Sequence, residues 1–374
     1  MRRGTVVAAG TAVVVAAGVA VLLLGRRVSD LALKPGAGGE PAAAGEPPLR
    51  VRSISADEVT LTRTTESLRR GRYALEWAGG HAVVGPVLRG DQRTVTRRLE
   101  FTAGRGPADS ADVELTPRVL RGDPVSSCGL DSMDVVVDGE LGPLPAWYLP
   151  AVRGTWVIAV HGPQADRRQA LPVLPVVHRL NLPALVISYR GDQGAPPPPD
   201  GLGHFGETEW HDVEAAIRFA KQAGAGRIVL YGWSLGASMV LQTAARSDFR
   251  DDLAGLVLDS PVLDLAASVR NRATRAGKPA AVAELGVWAA AGRTGVDTAD
   301  FAQLAEGAEL RLPTLLMHSP QDPIAPYRAA QRLARNRPLL VNLRTVPDAG
   351  HAALWNADPR GYEEALRRFL TPIL

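Results

Sequence analysis

A chain of 374 residues, 46% hydrophobic and 22% charged, has the balance of a globular protein and room for a catalytic domain with something added. Its 42 basic residues nearly match its 39 acidic ones, leaving a net charge of +3, and no arginine block alternates with aromatics, which argues against a nucleic-acid partner. The single cysteine, Cys128, excludes an internal disulfide and has no histidine close in sequence, so it reads as structural.

Residues 4–25 carry no charge and would span about 30 Å as a helix, the thickness of a bilayer core. Arg2, Arg3, Arg26 and Arg27 bracket the stretch, and Arg26-Arg27 stand where a signal peptide would need small residues for cleavage. The prediction is an uncleaved single-pass membrane anchor. The free amine with Arg2 and Arg3 slightly outweighs Arg26 and Arg27, favouring a cytoplasmic N-terminus and a catalytic body outside the cytoplasm. Residues 26–48 follow, and from Lys34 to Pro48 they are dominated by Gly, Pro and Ala without apolar periodicity, which predicts a flexible tether.

From 49 to 130 the pattern becomes short alternating runs such as Val59-Thr60-Leu61-Thr62, His81-Ala82-Val83-Val84 and Val95-Thr96-Arg97-Arg98-Leu99-Glu100-Phe101, separated by glycine-containing turns. A small β-rich domain is expected. Its many arginines, among them Arg50, Arg52, Arg63, Arg69, Arg72, Arg89 and Arg97, read first as a solvated basic surface and second as a contact for anionic lipid headgroups. No chemistry is assigned to it.

Residues 131–374 change character again. Val135–Gly139 and Leu144–Leu149 form an expected hairpin, and Thr155–Val160 a strongly apolar strand ending at His161-Gly162. Strands then alternate with helices: strand Ala184–Tyr189, helix Thr208–Gln222, strand Arg227–Tyr231, strand Gly255–Asp259, strand Thr314–His318, strand Leu340–Arg344 and a final helix Gly361–Leu370. The fold class is α/β, with a mostly parallel sheet flanked by helices and the site at the strand carboxyl ends. The segment 261–310, rich in Ala and Arg, is expected to form two or three helices capping the pocket. Arg190 and Glu209-Trp210 are read as bracing the domain.

The chemistry centres on Gly232-Trp233-Ser234-Leu235-Gly236, a G-x-S-x-G between a buried strand and a helix former. Such a turn holds a serine in strained geometry with its hydroxyl exposed, and the glycines leave room where a Cβ would clash. Together with His161-Gly162, Ser188-Tyr189-Arg190-Gly191 and the ends of the last two strands, this resembles the α/β-hydrolase superfamily, nearest to its membrane-tethered and serine-aminopeptidase-like members. The resemblance covers 131–374 only and is specific to the superfamily rather than to a substrate.

The superfamily order is Ser, acid, His. Ser319-Pro320-Gln321-Asp322-Pro323 resembles the acid loop and Pro347-Asp348-Ala349-Gly350-His351 the histidine loop, so the resemblance implies Ser234 as nucleophile, Asp322 as acid and His351 as base, with Asp348 and Asp259 as rival acids. It also implies an oxyanion hole from the Leu235 N–H and a donor after the His-Gly pair. That residue is Pro163, which has no N–H, so the second donor is expected from Gln164. His318, His178 and His204 read as structural or rim residues, no set of histidines has metal-ligand spacing, and no cofactor is called for. The implied function is hydrolysis of a small acyl substrate, an ester or thioester; amide or peptide hydrolysis, and a tethered binding protein with little turnover, are the alternatives.

Overall fold

The computed structural model describes residues 43–374 other than 109, together with Arg27, Ser29, Asp30 and Leu33. The anchor expected at 4–25 lies outside the described residues. Among those described, no helix is long and apolar enough to cross a membrane.

Six strands form the first sheet: β1 (Val51–Ile54), β2 (Glu58–Thr62), β3 (Tyr73–Trp77), β4 (Gly80–Gly90), β5 (Thr94–Gly104) and β6 (Glu114–Thr116). Their order is β1-β2-β5-β4-β3-β6, every pair antiparallel, so the expected β-rich segment is one sheet. Val59, Leu61, Tyr73, Leu75, Ala82 and Val84 make its apolar core, which also takes in Ala353 from the catalytic half. Not all of the arginines face water. Arg97 is fully buried, and its guanidinium donates to the carbonyls of Gly85, Ser67, Arg69 and Gly71 at 2.9, 3.0, 2.7 and 2.6 Å. Burial pulls its pKa down to about 10, and the four carbonyls replace the lost water. Several of the others sit in surface ion pairs: Arg50 with Asp112, Arg72 with Glu100, and Arg89 with Glu58.

Residues 34–42 of the expected flexible tether lie outside the described residues. Elsewhere in 26–48, Leu33 buries its side chain beside Phe205 and Leu265, and Arg293 donates to Ser29 and Asp30, while Ala44, Gly45, Pro47 and Pro48 are exposed. Glu46 accepts from the Thr65 N–H at 3.0 Å.

The second sheet has eight strands: β7 (Met133–Gly139), β8 (Gly142–Leu149), β9 (Thr155–Val160), β10 (Ala184–Ile187), β11 (Arg227–Trp233), β12 (Leu253–Asp259), β13 (Thr314–His318) and β14 (Val341–Thr345). The order is β14-β13-β12-β11-β9-β10-β8-β7. The β7–β8 and β8–β10 pairs are antiparallel, and the remaining pairs are parallel. Strands buried on both faces explain the unbroken apolar runs. Along β9, Trp156, Ile158 and Val160 point into one cluster, Val157 and Ala159 into the other.

Helices α1 (Pro124–Cys128) and α2 (Leu174–Arg179) precede α3 (Trp210–Gln222) and α4 (Leu235–Arg246). The insertion after β12 folds as α5 (Leu265–Arg275), α6 (Ala280–Thr294) and α7 (Thr298–Glu306), three helices as expected. Then come α8 (Tyr327–Asn336), the short α9 (Leu354–Ala357) and α10 (Pro359–Leu370). Residues of α3, α4 and α8 cover one face of the sheet, and residues of α2 and α10 the other. Arg190 ties this framework together: its guanidinium reaches Asp212 of α3 at 2.8 and 2.9 Å and Glu140 of the β7–β8 hairpin at 3.1 Å. The Glu209 carboxylate accepts from the backbone N–H groups of His204 and Gly206, as a brace should.

Candidate active site

Strand β11 delivers its last residue, Trp233, directly to Ser234, which caps α4 with φ 55° and ψ −119°. A positive φ on a residue with a Cβ is costly and persists only where the surroundings enforce it. They do so here by close approach. A Cβ on Gly232 would collide with Gly236 and Ala237, and one on Gly236 with the carbonyls of Val160 and His161. The helix start is thereby pressed against β9 and β11, with the serine at the crest of the turn.

The Ser234 Oγ lies 2.7 Å from His351 Nε2, and His351 Nδ1 lies 2.8 Å from Asp322 Oδ2. The three residues follow β11, β13 and β14, all at the carboxyl edge of the sheet. The other oxygen of Asp322 accepts from the N–H groups of Ile324 and Ala325 at 2.8 and 2.9 Å. Burial pushes the Asp322 carboxyl up, but the charge and hydrogen bond of His351 outweigh it and hold the group below its ordinary value. A carboxylate kept ionised and fixed by two amides can orient an imidazole and stabilise its protonated form.

The rival acids go elsewhere. Asp348 is exposed, its N–H bonded to Gln321. Asp259 is buried at the end of β12, with Oδ1 accepting from the Ser260 hydroxyl at 2.8 Å and Oδ2 from the Tyr362 hydroxyl at 2.7 Å. Burial pushes its carboxyl up to about 6, with the two hydroxyls opposing and the Asp322 charge adding to the rise. Ser260 in turn accepts from the Ala352 N–H at 3.1 Å, linking this buried acid to the histidine loop.

On the oxyanion side, Leu235 opens α4, where first-turn N–H groups have no partner within the helix. The Gly162 N–H is occupied by Gln169 Oε1 at 2.8 Å, and a Cβ on Gly162 would stand 3.0 Å from Ser234 Cβ. Gln164, after Pro163, has φ 63° and lines the same cavity as Ser234. Its side-chain oxygen accepts from Arg272 of α5 at 3.0 Å. Beneath the loop, His161 Nε2 meets Asp192 Oδ2 at 2.8 Å; burial lowers the imidazole pKa, but the Asp192 carboxylate outweighs it and the net shift is upward.

The remaining expected bystanders are placed as follows. His318 is buried with Nδ1 on the Ser319 carbonyl at 3.0 Å and its pKa lowered by burial. His178 is exposed and His204 meets Asp200 at 3.2 Å. The Cys128 thiol lies against the Leu171 carbonyl at 3.5 Å, and burial pushes it up, which suits a structural thiol. Among the described residues no cluster of His, Cys, Asp or Glu could hold a metal ion.

One feature has no signal in the sequence. A cavity of about 390 Å³ opens over Ser234 and His351, and its far wall is the segment Val113–Leu120 of the β-rich part with Leu49, Thr64 and Arg69. The helical insertion contributes Arg272 to this cavity, and with Val262, Leu265, Ser268 and Val269 it lines a smaller adjoining one that also reaches Ser234, so the β-rich part and the insertion both border the serine.

Residues 50–116 match a family described as Domain of unknown function (DUF8805). A search among curated proteins finds no significant match. Among solved structures, an esterase of Pyrococcus furiosus is similar with a TM-score of 0.56 at 18% identity, over 68% of this chain and 96% of that one. A serine hydrolase without a lid from Xanthomonas campestris is similar at 0.47 and 18% identity, over 64% of this chain and 95% of that one. Residues 157–365 match the Alpha/beta hydrolase family, more than half of the chain, and the chain belongs to that family.

Proposed function

We propose that the protein is a cofactor-independent serine hydrolase that cleaves a carboxylic ester or thioester through an acyl-enzyme on Ser234. The observation that carries this is the continuous hydrogen-bond line from the Ser234 Oγ through both nitrogens of His351 to Asp322. A serine hydroxyl is a poor nucleophile until a base takes its proton, and His351 Nε2 stands at the distance needed to do so. In this reading the Oγ attacks the acyl carbonyl carbon as its proton passes to Nε2, and the imidazolium is stabilised by Asp322. The developing oxyanion is held by the N–H groups of Leu235 and Gln164. Collapse of the tetrahedral species expels the alcohol or thiol, protonated by His351. Water then attacks the acyl carbon as its proton passes to the same nitrogen, and the second tetrahedral species collapses to the acid, breaking the bond to Ser234 Oγ, which takes the proton back from His351.

Leu49, Leu115, Val119, Leu120, Pro172 and Trp233 line the cavity beside the serine, which suits an apolar acyl chain. A panel of p-nitrophenyl esters from acetate to palmitate, with matched anilides, tests this reading. Turnover of esters with a preference among chain lengths is expected. Cleavage of the anilides at rates equal to the esters would shift the assignment to amide hydrolysis.

We also propose that residues 4–25 anchor the chain in a membrane with its body outside the cytoplasm, on the strength of an uncharged stretch long enough to span a bilayer. The full-length chain should then sediment with membranes. Recovery as a soluble species whose first residue lies beyond Arg27 would show cleavage instead.

A further inference from the structure

The six-stranded domain is fastened to the segment that carries the proposed base. Just after His351, the short helix α9 places Asn356 at 4% exposure against the β-rich domain. Its side-chain amide donates to the Arg72 carbonyl at 2.8 Å and the Pro117 carbonyl at 2.9 Å, while its backbone carbonyl accepts from the Arg72 N–H at 2.9 Å. Gly71 passes so close that a Cβ there would collide with the Asn356 carbonyl. Ala353, between His351 and Asn356, is buried in the β-rich domain's own core. Arg69 lies over Gly350, where a Cβ would stand 3.1 Å from its guanidinium carbon. The loop making these contacts is held from inside by Arg97, whose guanidinium ties the carbonyls of Ser67, Arg69 and Gly71. The same domain walls the cavity over Ser234, with Val113 and Leu115 lining it.

We infer that the domain spanning residues 50–116 is a working part of the active site. Through Asn356 it positions the histidine loop, and through Val113 and the residues that follow it forms the binding wall for the acyl chain of an apolar ester. The inference rests on the serine-hydrolase reading. A loop carrying a base that must sit within hydrogen-bond reach of a serine gains from being held at both ends, since a displacement of about 1 Å costs about 100-fold in rate. On one side Asp322 and the Ser260 hydroxyl hold His351 and Ala352; on the other the β-rich domain holds Ala353 and Asn356. Asn356 borders the cavity, but its side-chain amide is taken up by the Arg72 and Pro117 carbonyls, and it acts as a positioning residue.

The test compares full-length wild type with Asn356→Ala, Asn356→Asp and Val113→Trp, using p-nitrophenyl acetate and octanoate and following thermal unfolding in parallel. Asn356→Ala should lower kcat at least tenfold on both esters with a smaller change in KM, and Asn356→Asp, which sets a carboxylate against two carbonyls, should lower it further. Val113→Trp, which fills the wall, should lower the ratio of kcat/KM for octanoate to that for acetate at least fivefold. Wild-type kcat in a folded Asn356 variant overturns the positioning role. An unchanged chain-length ratio in Val113→Trp overturns the binding wall and stands as a test even if the Asn356 variants fail to fold. If wild type neither turns over an ester nor is labelled at Ser234 by a fluorophosphonate, the hydrolase reading itself falls and this inference with it; active wild type with unaltered variants sinks the inference alone.

Discussion

Asp259→Asn separates the buried acid at the end of β12 from the acid bonded to the histidine. In the folded protein the Asp259 carboxyl is pushed up to about 6 by burial, whereas in the unfolded chain it returns to about 3.9. The folded state therefore holds its proton more tightly. The stability this contributes is fully present below pH about 4 and is lost as pH rises through about 6. A pKa that differs by about 2 between the two states is worth about 3 kcal/mol in total, of which about half falls between pH 5 and pH 8. Asparagine cannot ionise, but it offers only one acceptor to the Tyr362 and Ser260 hydroxyls, a loss of about 1–2 kcal/mol at every pH. Urea unfolding of wild type and variant at pH 5 and pH 8 reads the balance. The variant should be the less stable at pH 5, and the gap should narrow by between about 1 and 2 kcal/mol at pH 8. A gap of equal size at both values would refute the argument that burial raises this carboxyl to about 6.

Asp322→Asn should retain the fold and lose about 10⁴-fold in kcat, because an amide in place of the carboxylate cannot both fix and stabilise the imidazolium; steady-state kinetics showing less than a tenfold loss would dismiss Asp322 as the acid. Pro163→Gly should leave kcat/KM unchanged or lower it, since the Gln164 N–H already serves as second donor in the proposed hole. A rise of about 100-fold would instead reveal a hole lacking one donor, the usual worth of such a group.

The catalytic sheet is legible in the sequence because strands buried on both faces leave unbroken apolar runs, and the run Thr155–Val160 is β9 to the residue. The turn at Ser234 is legible because glycine at 232 and 236 is demanded by backbone contacts close by, Gly232 against its own helix start and Gly236 against the end of β9. Asp322 and His351 are implied by the likeness of their loops to the superfamily's acid and histidine loops, with Asp348 and Asp259 left open as acids, and the fold brings Asp322 and His351 to the serine. The partner of the β-rich domain is not legible. The bond from Asn356 to Arg72 spans 284 positions, and nothing in the run Ala352-Ala353-Leu354-Trp355-Asn356 marks its last residue as an anchor. The docking of Leu33 is hidden for a related reason: it buries against Phe205 and Leu265, residues whose proximity no periodicity encodes. Arg97 reads with its neighbours as surface charge, because a buried guanidinium satisfied by carbonyls leaves no acidic partner in the sequence to signal it.

The most direct measurement of the central claim is covalent labelling by a fluorophosphonate, with the modified residue located by mass spectrometry, in wild type and in Ser234→Ala. The substitution removes one oxygen from the crest of a turn and opens no cavity in the core, so the variant should unfold at the wild-type temperature. The account predicts a single adduct on Ser234 in wild type and none in the variant. An adduct on another serine, or equal labelling of the two proteins, would contradict it.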